Sequence, residues 1–144
     1  MKRVLEPVRI ESEVLQEIAR RCVAAYPQEA LGALLGSDHG SICWTVPLER
    51  RGARVSPWVK AEADRLRLRR VGSWQSHPEG LALPREADRK GRRDGGLLVI
   101  VAVGAAAGPR EITAWRVESS RRHFRGIPIE DGESLISTLD RGGS

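Results

Sequence analysis

The residues Gly72, Ser73, Trp74, Gln75, Ser76, His77 and Pro78, followed shortly by Pro84, Arg85, Glu86, Ala87 and Asp88, decide how this chain is read. They put an imidazole at the end of a strand, beside a proline and a glycine-containing loop. A carboxylate follows eleven residues after His77, in the first turn of a helix that Pro84 opens. A loop of that length can fold back so that both groups meet at one point, and histidine with aspartate is suitable first-row chemistry for zinc. Taken alone, the same residues are also a plain loop histidine and a helix-terminal acid, so both readings stand at this point.

Working outward, Tyr26, Pro27, Gln28, Glu29 and Ala30 lead into Leu31, Gly32, Ala33, Leu34, Leu35 and Gly36. Glu29 stands directly before an apolar strand, where a solvated loop acid has no packing reason to be. With this element added, the chain resembles the JAMM, or JAB/MPN, metalloprotease domain. That pattern runs proline-x-glutamate, a glycine-containing apolar strand, His-x-His-Pro, then Ser-x-x-Asp, and the resemblance spans residues 10 to 130.

The resemblance implies an α/β fold: a single JAB/MPN-like domain with a curved, mostly antiparallel β-sheet flanked by helices, over residues 1–138, and a flexible tail at 139–144. It implies zinc as cofactor, with His77 and Asp88 as metal ligands and Glu29 as the acid that holds and deprotonates a bound water. Two positions depart from the pattern. Gln75 stands where the first histidine ligand belongs, and Arg85 where the serine that supports the oxyanion belongs. An amide oxygen is a poorer zinc donor than an imidazole nitrogen, so zinc is expected to be weakly bound or absent. Arg85 has two readings: a guanidinium stabilises a developing oxyanion, or it pairs with Asp88 or Glu29 and balances the acids without metal. Glu29, Gln75, His77 and Asp88 are expected to converge in one surface cleft at the sheet edge.

The leading function implied is a zinc-dependent peptidase or isopeptidase acting on the tail or conjugate of a ubiquitin-like or sulfur-carrier protein. The alternative is a catalytically inactive JAB/MPN pseudoenzyme serving as a protein-binding scaffold. Other candidates carry less. His39 and His123 read as surface histidines, Glu79 as a solvated loop acid, and Cys22 as a core residue.

The remaining elements follow from periodicity. Val14, Leu15, Ile18, Ala19, Cys22 and Val23 form a helical stripe over Ser12–Tyr26, with Ser12 as N-cap and Pro27 as stop. Ala30–Gly36 and Ser41–Leu48, the latter with Ile42, Trp44, Val46 and Leu48 at period two, predict a hairpin turning at Ser37–Gly40. Arg65–Gln75 reads as a strand from the alternation of Leu66 and Leu68. The short stretch from Val55 to Arg70 argues against a second long helix. Leu97–Val103, continuously apolar, predicts a central strand buried on both faces. Ile112–Val117 and His123–Ile129 supply further strands, Pro84–Arg93 a short helix, and the sheet comes to about six strands.

Composition agrees with one domain. The chain has 144 residues and is 40% apolar, enough for a core. No apolar run reaches the roughly 18 residues that span a bilayer, so a membrane protein is excluded and a cytoplasmic address is the default expectation. Two cysteines are too few for a disulfide scaffold. The net charge is +5, and all 24 basic residues except Lys2, Lys60 and Lys90 are arginines. That bias suits nucleic acid, a third functional class, but one Phe and one Tyr supply few stacking platforms.

Overall fold

A computed structural model describes residues 7–37, 41–48, 57–89, 96–105, 109–118 and 123–131. The tail at 139–144 and His39 lie outside these. Among the described residues eight strands form one sheet: β1 (Val8–Ile10), β2 (Leu31–Gly36), β3 (Ser41–Leu48), β4 (Arg69–Pro78), β5 (Leu97–Val103), β6 (Pro109–Glu118), β7 (His123–Ile127) and β8 (Ile129–Asp131). Two helices, α1 (Ser12–Ala25) and α2 (Pro57–Leu66), accompany them. The spatial order is β7-β6-β5-β4-β2-β3-β1-β8. β7 and β8 therefore occupy opposite edges although Pro128 alone joins them, so the sheet must curl until its edges approach. The result is nearly a barrel.

The sheet is mixed and larger than the periodicity predicts. β2–β3, β2–β4, β5–β6 and β6–β7 pair antiparallel; β1 pairs parallel with β3 and β8, and β4 with β5. β1 and β8 span three residues each, too short for any alternation to show. Their order comes from pairing with each other across almost the whole chain.

α1 packs on one face through Val14, Ile18 and Cys22, which join Leu34, Trp74, Val99 and Val101 in the main core. Burying an Ile or Val side chain of this kind contributes about 1.5 to 3 kcal/mol. Ser12 is the first helical residue rather than the cap: Glu11 holds the N-cap position, and the Ser12 hydroxyl turns inward and accepts from the Gln16 amide at 3.3 Å.

α2 packs on the opposite face, where Val59 and Ala63 cover Ala33, Leu35 and Val46. This corrects one expectation for the region, the strand opening at Arg65, while the second helix is a short one. Leu66 ends a helix instead of opening a strand, and a second helix exists in ten residues. Pro57 occupies the first helical position, Val59, Ala63 and Leu66 follow the i, i+4, i+7 stripe, and Arg67 at φ 56° breaks the helix so that β4 begins at Arg69. In the 84–93 region only one 3-10 turn, Glu86–Arg89, is seen among the described residues.

The β2–β3 hairpin forms as expected, but β3 is not one continuous alternation. Its register against β2 shifts between Trp44 and Ile42, leaving Cys43 as an extra residue. Across this bulge Ile42 turns to the α1 core, Val46 turns to the α2 core, and Trp44 stays 43% exposed. β5 behaves as its unbroken apolar run requires. Leu97, Val99, Val101 and Val103 face α1, while Leu98, Ile100 and Ala102 pack under Ala82, Trp115 and Phe124.

Trp74, the largest buried side chain, lies across Gly32, its direct partner on β2. Its indole N–H donates to the Thr45 hydroxyl at 2.6 Å, which donates in turn to the Ala33 carbonyl. A Cβ on Gly32 would come within 2.3 Å of the indole ring. Because the hydrogen bond fixes the indole, Gly32→Ala is expected to cost about 2 to 3 kcal/mol, read as a lowered urea midpoint with an unchanged slope.

Candidate functional site

β4 is an interior strand, held by β2 on one side and β5 on the other, so the directions of its side chains are fixed. Successive residues alternate between faces. Trp74 and Ser76 turn toward α1; Gln75 and His77 turn to the face that carries α2 and the 79–89 segment. Ser76 does a second job from the core side. Its backbone N–H donates to the Ala30 carbonyl at 2.8 Å, and its hydroxyl accepts from the Ala30 N–H at 2.8 Å. Glu29 is thereby tied next to β4 by its neighbour's backbone.

Residues 79–89, the described part of the crossover from β4 to β5, lie over the outer face. Glu79 N–H donates to the Val103 carbonyl at 2.7 Å, Ala82 is buried, and its carbonyl accepts from the Thr113 hydroxyl at 2.6 Å. This brings Leu81 and Asp88 to the side chains of β4. His77 Nδ1 lies 2.9 Å from the Leu81 carbonyl, so Nδ1 carries the proton and Nε2 is left as an acceptor. The Gln75 amide nitrogen lies 2.8 Å from that Nε2 and 2.8 Å from Asp88 Oδ1. Asp88 Oδ2 accepts from the Arg85 backbone N–H at 2.7 Å, the bond by which the third residue of a helical turn reaches back to its N-cap. His77 Nε2 and Asp88 Oδ2 are 3.6 Å apart.

Gln75, His77 and Asp88 are 4%, 2% and 3% exposed. The structure thus brings these three together, but inside the protein beneath an interior strand, not in an open cleft at the sheet edge. Burial lowers the His77 pKa, and the Arg85 charge adds to this; the Leu81 carbonyl, Asp88 and Glu29 act in the opposite direction. A neutral imidazole fits the tautomer that the Leu81 bond selects.

Glu29 and Arg85 sit above the cluster. The Arg85 guanidinium reaches Glu29 Oε2 at 3.1 Å, with side chains 52% and 26% exposed. Of the two partners expected for the guanidinium it takes Glu29; Asp88 receives the backbone of the same residue instead. Leu81 and Leu83, on the loop between, are exposed.

The remaining candidates fall away from the cluster. His123 lies on β7, three strands from β4, or about 14 Å at the usual strand spacing. Cys22 is core, and burial pushes its thiol up to about 12, against a smaller opposing effect of its bond to Ser76. Glu79 is exposed at φ 59° and accepts from the Tyr26 hydroxyl. Sequence reading missed Ser76, the Leu81 carbonyl and Tyr26. Ser76 had a signal, since alternation sends it opposite Gln75 and His77; a backbone carbonyl has none.

The donor set does not fit zinc. Zinc takes lone pairs from nitrogen, sulfur or oxygen. Here an imidazole and a carboxylate converge on the N–H side of an amide, which offers them protons and no lone pair. Among the described residues no group of three or more His, Cys, Asp or Glu side chains could hold a metal ion.

A curled mixed sheet with one helix on each face, with Gln75 and His77 at the end of β4 and Asp88 in the turn beyond it, defines a domain of the JAB/MPN class. The model of the prokaryotic homologs of the JAB domain matches residues 11–118, and the chain belongs to that family. Solved structures agree on the fold. A protein of Desulfitobacterium hafniense superposes with TM-score 0.71 at 16% identity, over 85% of this chain and 90% of that one. A JAB1/MPN domain protein from Archaeoglobus fulgidus gives 0.60 at 18% identity over 87% and 99%. A structure described as JAMM, a metalloprotease-like zinc site in the proteasome and signalosome, gives 0.57 at 16% identity over 88% and 100%. No curated protein sequence matches the chain.

The half-exposed Arg85–Glu29 pair is worth little in stability, because solvent screens it. Arg85→Ala is expected to cost less than about 1 kcal/mol in urea denaturation, since the backbone N–H that holds Asp88 survives the substitution.

Proposed function

We propose that this JAB-family domain is a protein-binding module whose site surface receives a ubiquitin-like or sulfur-carrier protein without zinc-dependent hydrolysis. One observation carries the reading. The Gln75 amide nitrogen, 2.8 Å from both His77 Nε2 and Asp88 Oδ1, satisfies the two groups that the resemblance assigns to a metal. With acceptors already matched to donors, burial is stable in that arrangement and no cation is called for.

The surface above the cluster suits recognition. Leu81 and Leu83 present exposed apolar side chains on the loop, and Glu29 and Arg85 present a charged pair beside them. An apolar centre with a polar border is the usual make-up of a protein interface. Among the described residues no helix is long and apolar enough to cross a membrane.

A weakened metallopeptidase or isopeptidase is the second reading, favoured by the survival of Glu29, His77 and Asp88 around one location. It requires Gln75 to release both partners. Zinc content of the purified protein, together with cleavage of a ubiquitin-like fusion, separates the two readings. The expected result is well below one zinc per chain and no cleavage, with Gln75→His gaining zinc affinity in calorimetric titration, because it supplies the nitrogen donor that is missing. One zinc per wild-type chain together with cleavage would reject the binding-module reading.

A further inference from the structure

Parallel neighbours cannot be joined by a tight turn, so β4 and β5 need a crossover, and its described part, residues 79–89, lies on the outer face of the sheet. Among the described residues of this crossover apolar anchoring is modest: Ala82 is buried, while Leu81 and Leu83 are exposed. Polar bonds help to fix its course: Glu79 N–H to the Val103 carbonyl, the Thr113 hydroxyl to the Ala82 carbonyl, and a set that converges on one side chain, Gln75. His77 takes the Leu81 carbonyl through Nδ1, leaving Nε2 with only a lone pair to offer. Asp88 takes the Arg85 backbone N–H through Oδ2 and has Oδ1 to satisfy. Two buried acceptors, one of them a carboxylate, thus point at the same place. Something with positive character on two sides must lie between them. A primary amide has two N–H bonds diverging from one nitrogen, and the Gln75 nitrogen lies 2.8 Å from each acceptor. The reverse amide orientation would set a carbonyl oxygen against two acceptors, so the network itself selects this one. Among the described residues no buried side-chain nitrogen or oxygen lacks a hydrogen-bond partner.

We propose that the Gln75 carboxamide is a fixed, uncharged replacement for a cation, clamping the 79–88 segment onto β4 so that the site surface keeps one shape without metal. The inference rests on the metal-free reading above and adds a positioning role. From Gln75 the chain of contacts passes through Asp88 to the Arg85 backbone, and from the Arg85 guanidinium to Glu29. A buried side chain thereby sets where an exposed ion pair stands.

Amide hydrogen exchange on the full chain tests this, with the Arg85 and Asp88 amides as reporters and Val99, Ile100 and Val101 in β5 as internal controls. Wild type is expected to show the same protection in chelator and in zinc. Gln75→Leu keeps much of the volume but removes both donors. Loss of hydrogen bonds to a charged group should speed exchange at the reporters at least about tenfold, with the β5 amides unchanged. Gln75→Glu keeps the shape but exchanges the two N–H donors for acceptors. At pH 8 in chelator it should lose protection as the leucine variant does, and in zinc it should recover, since His77, Asp88 and the new carboxylate then form a ligand set.

Wild-type-like protection of Gln75→Glu in chelator would overturn the clamp, and this variant decides the matter if Gln75→Leu fails to fold. Loss of wild-type protection on chelation would overturn it as well, by showing that a metal holds the segment. Cleavage activity in a wild type whose protection ignores chelator would reject the binding-module reading and leave the clamp standing.

Discussion

The two-residue repeat of β4 is the constraint on which the site depends. Paired on both sides, the strand cannot rotate, so a single step along the chain sends Trp74 and Ser76 into the core and Gln75 and His77 to the outer face. A slip of one residue would bury the wrong set. The indole of Trp74, packed across Gly32 and bonded to Thr45, fixes this register from within. The double bond between Ser76 and Ala30 then carries the same register to Glu29. The precision of the polar cluster is inherited from the packing behind it.

The cluster shows how hydrogen bonds help a buried carboxylate to be tolerated. Removing an ionised group from water costs several kcal/mol unless hydrogen bonds replace the lost hydration. Asp88 receives an amide N–H on one oxygen and a backbone N–H on the other. Burial disfavours charge on the imidazole beside it, and the Leu81 carbonyl fixes a proton on Nδ1. The Arg85 guanidinium is turned outward to Glu29. An amide and a backbone N–H thus stand where the family resemblance implies a metal.

What could be read locally was read correctly where one period ran without interruption. The apolar stripe of α1 and the seven-residue apolar run of β5 are of this kind, and so is the β2–β3 hairpin. Readings failed where a period changed within a few residues. Leu66 and Leu68 alternate like a strand, yet Leu66 closes a helical stripe begun at Val59, and the change of period at Arg67 is a left-handed residue that an arginine does not advertise. Trp44 fits the alternation of Ile42 and Val46 on paper, but the extra residue at Cys43 puts the flanking side chains on opposite faces.

The sequence by itself determined the family-like order of Glu29, Gln75, His77 and Asp88, the strand that carries two of them, and the absence of a first histidine. These are properties of residue type and spacing. Tertiary structure alone decided that β1 and β8 pair across the chain, that the sheet closes around Pro128, and that Arg85 turns its guanidinium to Glu29. It also decided that the Gln75 amide presents its hydrogens to His77 and Asp88. The orientation of an amide depends on which acceptors surround it, and here one acceptor arrives through the His77–Leu81 bond and the other from a segment packed beneath Thr113. No periodicity encodes such a meeting, because it is set by three separate stretches of chain converging in space.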